Sequence, residues 1–216
     1  MKRLATIALS AAGLLVAASA FAASGDLVKT DYSTTFQLDN SASRLAFPDD
    51  TTVQSWGSPA AAIVDTSTIS QWPMRGVMPI REGYSLVKFG TDPQIYAVSP
   101  GGVLHHIATA DIAVALYGPK WESRIVDLFY SYWPNYKIGS DITDATYPDG
   151  TLFKYAGKKT IYYLTNGVQR PFASTAAFKA NRFSADAVVT VSVSVKFVPG
   201  NPITGFERAL NATLVE

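Results

Sequence analysis

Two adjacent histidines, His105 and His106, are the only histidines in the chain of 216 residues, so imidazole chemistry depends on them. Neighbouring side chains on a strand point to opposite faces of a sheet, and such a pair cannot easily share one metal ion. Because the chain has no cysteine, a metal ion would need carboxylate ligands that nothing in the sequence places nearby. We therefore predict no metal and no cofactor, and we expect one packed and one exposed histidine. A metal or acid–base role is the alternative.

Acidic side chains are the other candidates for catalysis. Hydrolysis of a glycoside needs two carboxyl groups that face each other about 5 to 10 Å apart. The available residues are Glu82, Glu122, Asp127, Asp141 and Asp144. Most of them stand where we expect turns or solvent, and the sequence pairs none of them. A serine nucleophile is disfavoured because the G-x-S-x-G motif is absent. We predict no catalytic residue, with a small hydrolase of the cell envelope that uses Asp or Glu as the alternative.

A segment rich in aspartate spans residues 141–149. Asp141, Asp144 and Asp149 lie close together in the sequence, and hard cations such as calcium bind several oxygens on a flexible turn. The spacing departs from the D-x-[DN]-x-[DN]-G calcium pattern. We interpret the segment as a charged linker.

Aromatic residues give the strongest indication of a binding surface, and many of them crowd into residues 117–136. Flat rings supply a large apolar area with little loss of entropy, which suits both sugar rings and protein partners. The predicted contact residues are Trp121, Tyr132, Trp133 and Tyr136. We expect Tyr132 and Trp133 to be exposed because they flank Pro134. The alternative is that the rings fill seams in the core.

Lysine recurs at one position of a repeated pattern, as Lys29, Lys88 and Lys154. A row of cations could contact an anionic cell-wall polymer, so Lys88 and Lys154 are also predicted contact residues. The alternative is that these lysines end strands and protect the edge of a sheet.

The elements that must position these residues occur three times. Each copy opens with a short strand, at Leu27-Val28-Lys29, Leu86-Val87-Lys88 and Leu152-Phe153-Lys154. Nine residues after each leading leucine a second strand opens, at Phe36, Ile95 and Ile161. Turn residues then predict a hairpin, at Asp39-Asn40, Gly101-Gly102 and Asn166-Gly167. A third strand ends at Phe47, Ile107 and Phe172. A helix follows the N-cap residues Asp49, Thr109 and Ser174.

The rest of each copy is less regular. We predict a fourth strand at 63–64, 125–126 and 188–189, and a closing turn at 73–76, 136–139 and 199–202. The strictly alternating residues 189–197 predict a long strand with one buried face. The tail at 206–215 is weakly amphipathic, and its place in the fold is not predicted.

The first residues have the pattern of a secretion signal. Lys2 and Arg3 precede an apolar run at 4–16, and Ala20 and Ala22 form the Ala-x-Ala pattern that signal peptidase cuts. We expect cleavage after Ala22 and a secreted or cell-surface protein. The mature chain contains no further apolar run of the roughly 20 residues that would span a membrane.

Composition excludes several classes of protein. The chain is 48% hydrophobic and 16% charged, which argues against disorder and against a coiled coil. Its formal charge of +1 argues against binding to nucleic acid, which requires clustered positive charge.

Three stretches of the second copy, with variants of them in the other two, resemble a tandem repeat found in uncharacterised secreted and cell-surface proteins of bacteria. The stretches are Leu86-Val87-Lys88 with Ile95-Tyr96-Ala97-Val98 and Gly101-Gly102, Leu116-Tyr117-Gly118 with Trp121, and Asn135-Tyr136 with Ile138-Gly139. The resemblance implies an extracellular, β-rich accessory module and no catalytic residues.

Together these features predict a mainly β protein with short helices (α+β), built as three tandem repeats of a small antiparallel β-sheet plus one short helix. The expected boundaries are a signal peptide at 1–22, repeats at 23–80, 81–146 and 147–204, and a C-terminal tail at 205–216. We expect a non-enzymatic protein that binds cell-wall polysaccharide or another surface protein. A self-assembling surface-layer or filament subunit is an alternative.

Overall fold

The computed structural model describes residues 26–31, 34–38, 43–57 and 60–211. The predicted signal peptide at 1–22 and the predicted turn at Asp39-Asn40 lie outside these residues. The described chain forms three five-stranded sheets joined by short helices, so the predicted fold class is confirmed.

All three sheets have the same strand order. The fourth strand of each unit lies at one edge and is followed across the sheet by the first, second, third and fifth. The first three strands are antiparallel neighbours, as predicted. The fourth pairs in parallel with the first, and the fifth in parallel with the third, so each sheet as a whole is mixed. A helix after the third strand provides the crossover that a parallel pair requires.

The strands are numbered in chain order. The first sheet contains β1 (Leu27–Lys29), β2 (Thr35–Leu38), β3 (Arg44–Ala46), β4 (Ala62–Ile63) and β5 (Met74–Val77). The second contains β6 (Leu86–Phe89), β7 (Tyr96–Ser99), β8 (Val103–His106), β9 (Ile125–Leu128) and β10 (Lys137–Ile138). The third contains β11 (Leu152–Tyr155), β12 (Tyr162–Thr165), β13 (Val168–Pro171), β14 (Val189–Val191) and β15 (Val198–Pro199).

The helices are short. The α-helices are α1 (Asp50–Ser55), α2 (Thr66–Ser70), α3 (Ala110–Tyr117) and α4 (Thr175–Ala180). The 3-10 helices are Trp121–Arg124, Tyr130–Asn135, Ala185–Ala187 and Arg208–Leu210. As predicted, the side chains of Asp49, Thr109 and Ser174 accept hydrogen bonds from free amides in the first turns of α1, α3 and α4.

The repeated sequence landmarks occupy equivalent positions. The three Leu-x-Lys segments form the first strands β1, β6 and β11. The hairpin turns at Gly101-Gly102 and Asn166-Gly167 have the positive φ angles that favour these residue types. The first unit is one residue shorter before its second strand, because Phe36 pairs with β1 where Tyr96 and Tyr162 pair with β6 and β11.

Two local predictions were wrong. The closing segments expected to be turns contain the fifth strands β5, β10 and β15, which the third strand of each unit recruits through parallel pairing. The long strand expected at 189–197 stops at Val191, where a turn closes with a hydrogen bond from Val195 N to Ser192 O of 3.1 Å. Alternation alone does not supply the partner strand that a long strand needs.

The second and third units share a hydrophobic core. Leu86 and Leu116 of the second unit lie in one cluster with Phe153, Val189 and Val191 of the third, and α3 contacts β14. A unit of this size buries little apolar surface by itself, so the shared core stabilises both.

Arg81 lies where all three units meet, with a side chain 1% exposed. Its guanidinium donates to Arg182 O at 3.0 Å and to Leu210 O. The same group lies over the ring of Trp56 at 4.9 Å and over that of Phe183 at 3.7 Å. The buried guanidinium of Arg81 therefore contacts side chains and carbonyls from segments that are far apart in the chain.

The described part of the tail packs onto the third unit. Asn211 is fully buried, and its side-chain amide donates to Asn181 Oδ1 at 3.0 Å. Glu207 forms a two-pronged ion pair with Arg170, at 2.7 and 2.8 Å. In the described ranges, no helix combines the length and apolar character that crossing a membrane would require.

Candidate functional site

The predicted aromatic segment forms a 3-10 helix, Tyr130–Asn135, that lies on the second sheet directly after β9. Trp133 anchors the helix, since its ring packs edge-on against Phe89 of β6 at 5.0 Å and Tyr96 of β7 at 5.7 Å. Because Phe89 and Tyr96 are buried strand residues, the helix has a rigid base.

Four rings on this helix and its N-terminal flank form what we call the aromatic surface: Phe129, Tyr130, Tyr132 and Trp133. Tyr130 stacks on Trp133 with centroids 6.1 Å apart and planes only 5° from parallel. Phe129 meets Tyr132 edge-on at 5.9 Å. A 3-10 helix has three residues per turn, so side chains at i and i+3 eclipse each other, which explains both pairs.

The exposed faces of the aromatic surface belong to Phe129, which is 72% exposed, and Tyr130, which is 64% exposed. Tyr132 and Trp133, which we expected to be exposed, are half-buried and support the outer rings. The i, i+3 spacing of the aromatic residues before Pro134 is the feature of the sequence that indicates two outer rings supported by two inner rings.

Tyr136 is half-buried and faces the second sheet. Its hydroxyl accepts a hydrogen bond from Ile80 N at 2.9 Å, and its ring packs edge-on against Phe89. Burial raises the pKa of Tyr136 above its usual range. With its hydroxyl engaged there, Tyr136 joins the second unit to the segment that leads into it from the first.

Lys88 lies next to the aromatic surface and is not free. Its ammonium pairs with Asp127 at 2.5 Å and approaches Gly90 O at 3.5 Å. Tyr130 lies over Gly90, with its Cβ 3.9 Å from where a side chain on Gly90 would begin. The equivalent Lys154 is exposed on β11 of the third sheet, so the structure places the two predicted lysines on different sheets.

Polar groups also lie near the aromatic surface, around Tyr96, which packs against Trp133. The Tyr96 hydroxyl donates to Gln94 Oε1 at 2.6 Å, and burial, followed by the charges of Asp92 and Asp141, raises the pKa of Tyr96. The His106 ring lies 5.7 Å from the Tyr96 ring and its Nδ1 is 3.6 Å from an Asp141 oxygen. The rings thus lie beside an amide, an imidazole and carboxylates that can bond to hydroxyl groups.

A groove of about 330 Å³ continues from these polar groups to Trp121. Its walls include Gln94, His106 and Thr109. Trp121 is half-buried, packing partly against the core shared with the third unit. Trp121, one of the predicted contact residues, therefore lies in the same region as Trp133. Gln94 and His106 line the groove beside Trp121 and contact Tyr96, which packs against Trp133.

A larger cleft, of about 680 Å³, has both polar and apolar walls and lies on the other side of β8. His105 lines this cleft, and its Nδ1 is 2.7 Å from Ser140 O. His106 lines the Trp121 groove instead, so the two histidine side chains point to opposite faces of the sheet, as expected. Both are half-buried, so the expectation of one packed and one exposed histidine was wrong.

Three aspartates, Asp141, Asp144 and Asp149, line this cleft. Asp144 and Asp149 accept hydrogen bonds from nearby amides, at 2.9 and 2.7 Å, as loop-stabilising residues do. The hydrogen bonds from Thr146 lower the pKa of Asp144, which keeps it ionised and unsuited to act as an acid. Within the part of the chain that is described, no three His, Asp or Glu side chains are arranged to hold a metal ion.

The remaining carboxylate candidates are dispersed. Glu82 is buried beside Arg81, where burial raises its pKa and the Tyr163 hydroxyl approaches at 3.4 Å. Asp127 pairs with Lys88, and Glu122 is exposed on the 3-10 helix after α3. Among the described residues, those that line the Trp121 groove include no carboxylate.

Comparison of the chain with protein-family models, with curated proteins and with solved structures found no match. The resemblance to the bacterial tandem repeat therefore stays a prediction, and function has to be argued from the geometry of the site.

Proposed function

We propose that this protein is a non-enzymatic binding module that holds a polysaccharide of the cell envelope on its aromatic surface. The observation that carries the proposal is the stacked pair Tyr130 and Trp133, which presents an exposed ring on a rigid base. An exposed ring that is already fixed loses little entropy when a ligand stacks on it.

The surroundings of the aromatic surface favour a sugar ligand. A sugar ring has an apolar face that stacks on an aromatic ring and hydroxyls at its edge that need hydrogen-bond partners. Gln94 and Asp92 lie next to Tyr96, which packs against Trp133, and the Lys88–Asp127 pair lies next to Gly90, over which Tyr130 lies. Apolar contact combined with a few polar groups is the usual chemistry of a small-molecule site.

Export to the cell envelope is part of the same proposal, since the ligand is found there. Its support is the leader sequence at 1–22. Expression of the full chain in a bacterium should yield a protein that begins after Ala22, as determined by N-terminal sequencing. An uncleaved cytoplasmic product would contradict the proposed location.

Retention on insoluble polymers tests the binding proposal. The mature protein is incubated with peptidoglycan sacculi and with a neutral glucan, and the bound fraction is measured. Removal of a stacking ring weakens a binding hot spot by about 1.4 kcal/mol or more, so Tyr130→Ala and Phe129→Ala should each weaken binding about tenfold.

Phe206→Ala is the matched control, because Phe206 is also an exposed aromatic residue, at 48%, but lies in the tail. Circular dichroism verifies that all variants are folded. Failure of the wild type to bind either polymer, or an equal loss in Phe206→Ala, would overturn the proposal.

Self-assembly is the second candidate, favoured by exposed apolar residues on the fifth strands. Met74 is 50% exposed, Ile138 is 61% exposed and Val198 is 63% exposed. Exposed apolar side chains on an edge strand promote association. Size-exclusion chromatography at several concentrations tests this candidate, and a monomer at every concentration excludes it.

A further inference from the structure

The groove beside Trp121 has a counterpart in the third unit. A second groove, of about 250 Å³, is lined by Lys159, Thr160, Ser174, Thr175 and Phe178 among others. Both grooves open between the residues that precede the second strand of the unit and the N-cap of the helix that follows the third strand.

Backbone hydrogen bonds show that the two grooves lie at equivalent backbone positions of their units. Ile107 N donates to Ile95 O in the second unit, and Phe172 N donates to Ile161 O in the third, both at 2.9 Å. The next residue in each case is an exposed alanine in the groove, whose amide donates to the fifth-strand side of the sheet. Ala108 N reaches Ile142 O at 3.1 Å, and Ala173 N reaches Ile203 O at 2.9 Å.

The two grooves also share a chemical character. Each is lined by an aromatic residue, the half-buried Trp121 in one and the buried Phe178 in the other, and each has an exposed hydroxyl at the N-cap, Thr109 or Ser174. Their volumes lie near the lower end of small-molecule sites, about 300 Å³, which limits each groove to a ligand group of roughly one sugar. The groove of the second unit is continuous with the aromatic surface through Gln94 and His106.

We propose that the grooves of the second and third units are equivalent subsites, each of which takes one repeating unit of a polysaccharide. The ligand is then a polymer held at several points, and not a free monosaccharide. This inference rests on the proposed function, because the groove in the second unit extends the aromatic surface. Two linked weak sites bind a polymer far more tightly than either site binds a fragment.

Matched substitutions at the two alanines test the proposal. Ala108→Gln and Ala173→Gln fill one groove each with a longer uncharged side chain, at positions that are exposed. Ala115→Gln in α3 and Ala180→Gln in α4 are controls, since both alanines are exposed and neither lines a groove.

The first measurement is a titration of ¹⁵N-labelled mature protein with the soluble disaccharide of peptidoglycan, followed by amide chemical shifts. We expect shifts at residues 107–110 and at 172–175. Ala108→Gln should remove the first group and spare the second, and Ala173→Gln should do the reverse.

The second measurement is retention on sacculi. Each single variant should bind about threefold or more weakly, and the double variant about tenfold or more weakly, whereas the controls should bind like the wild type. If the wild type and both groove variants bind sacculi equally while Tyr130→Ala does not, the subsite proposal is overturned and the proposed function stands. If the wild type binds neither sacculi nor the neutral glucan and its spectrum does not change, both are overturned.

Discussion

Replacement of Arg81 by methionine tests whether the three units form one cooperative structure. Arg81→Met keeps most of the side-chain volume and removes the buried guanidinium. Burial lowers the pKa of Arg81 to about 10, although the charge of Glu82 partly opposes this effect. The nearest Arg81–Glu82 approach, 3.9 Å from Nε, is too long for a hydrogen bond, so the pair interacts through charge.

The expected loss of stability follows from the interactions that the guanidinium makes. The carbonyls of Arg182 and Leu210 each lose this donor, and a buried group that loses its hydrogen bond costs about 1–3 kcal/mol. The Glu82 carboxylate also loses its neighbouring cation, and breaking a buried charge pair costs about 3–5 kcal/mol. Because these effects overlap, we expect the free energy of unfolding to fall by about 3–5 kcal/mol.

Urea denaturation monitored by tryptophan fluorescence and by circular dichroism measures this loss. Arg208→Met is the control, since Arg208 is exposed and its replacement should change stability by about 0.5 kcal/mol or less. A loss below about 1 kcal/mol in Arg81→Met would refute the reasoning. So would two separate transitions in the wild type, because they would mean that the units unfold independently of this contact.

Two further predictions follow from the structure. Gly57 and Gly157 have similar positive φ angles, 78° and 73°, but a Cβ on Gly57 would lie 2.4 Å from Arg182 O whereas one on Gly157 would meet nothing within 4 Å. Gly57→Ala should therefore lower the melting temperature clearly more than Gly157→Ala, and equal effects would contradict the close approach of the first and third units. Burial raises the pKa of Tyr117 above its ordinary value of about 10. The unfolded chain then loses this proton first, so the free energy of unfolding falls as the pH rises above about 10. Urea midpoints between pH 8 and pH 11 should decline less steeply in Tyr117→Phe than in the wild type, and identical slopes would contradict the prediction.

Much of the repeating framework is predictable because it depends on local chemistry. Gly101-Gly102 and Asn166-Gly167 accept the positive φ of a hairpin wherever they occur, and Thr109 and Ser174 cap the helices that directly follow them. The fifth strands were missed because a short parallel edge strand is stabilised by a neighbour distant in sequence. The sequence of residues 136–139 is typical of a turn, but in the structure Lys137 and Ile138 pair with Val103 and Leu104.

The sequence predicted which segment carries the candidate site but not which of its rings are exposed. The sequence pointed to residues 117–136, yet it favoured Tyr132 and Trp133 as the exposed rings, whereas Phe129 and Tyr130 are. Which ring lies outside depends on the side from which the 3-10 helix packs on Phe89 and Tyr96. That side is fixed by the sheet and not by the helix sequence.

The amino-acid sequence by itself determined the threefold repetition, the hairpins, the helix caps and the concentration of rings in the second unit. The hairpins and caps depend on residues a few positions apart, and the repetition is visible because the same local pattern recurs three times. Tertiary structure alone decided that Arg81 is a junction, that Glu82 is buried and that two grooves are equivalent. The surroundings of Arg81 and Glu82 require contacts between segments distant in sequence, such as the one from Arg81 to Leu210, and such contacts form only when packing brings the segments together. Each groove forms where the start of the second strand of a unit lies near the N-cap of the helix after the third strand.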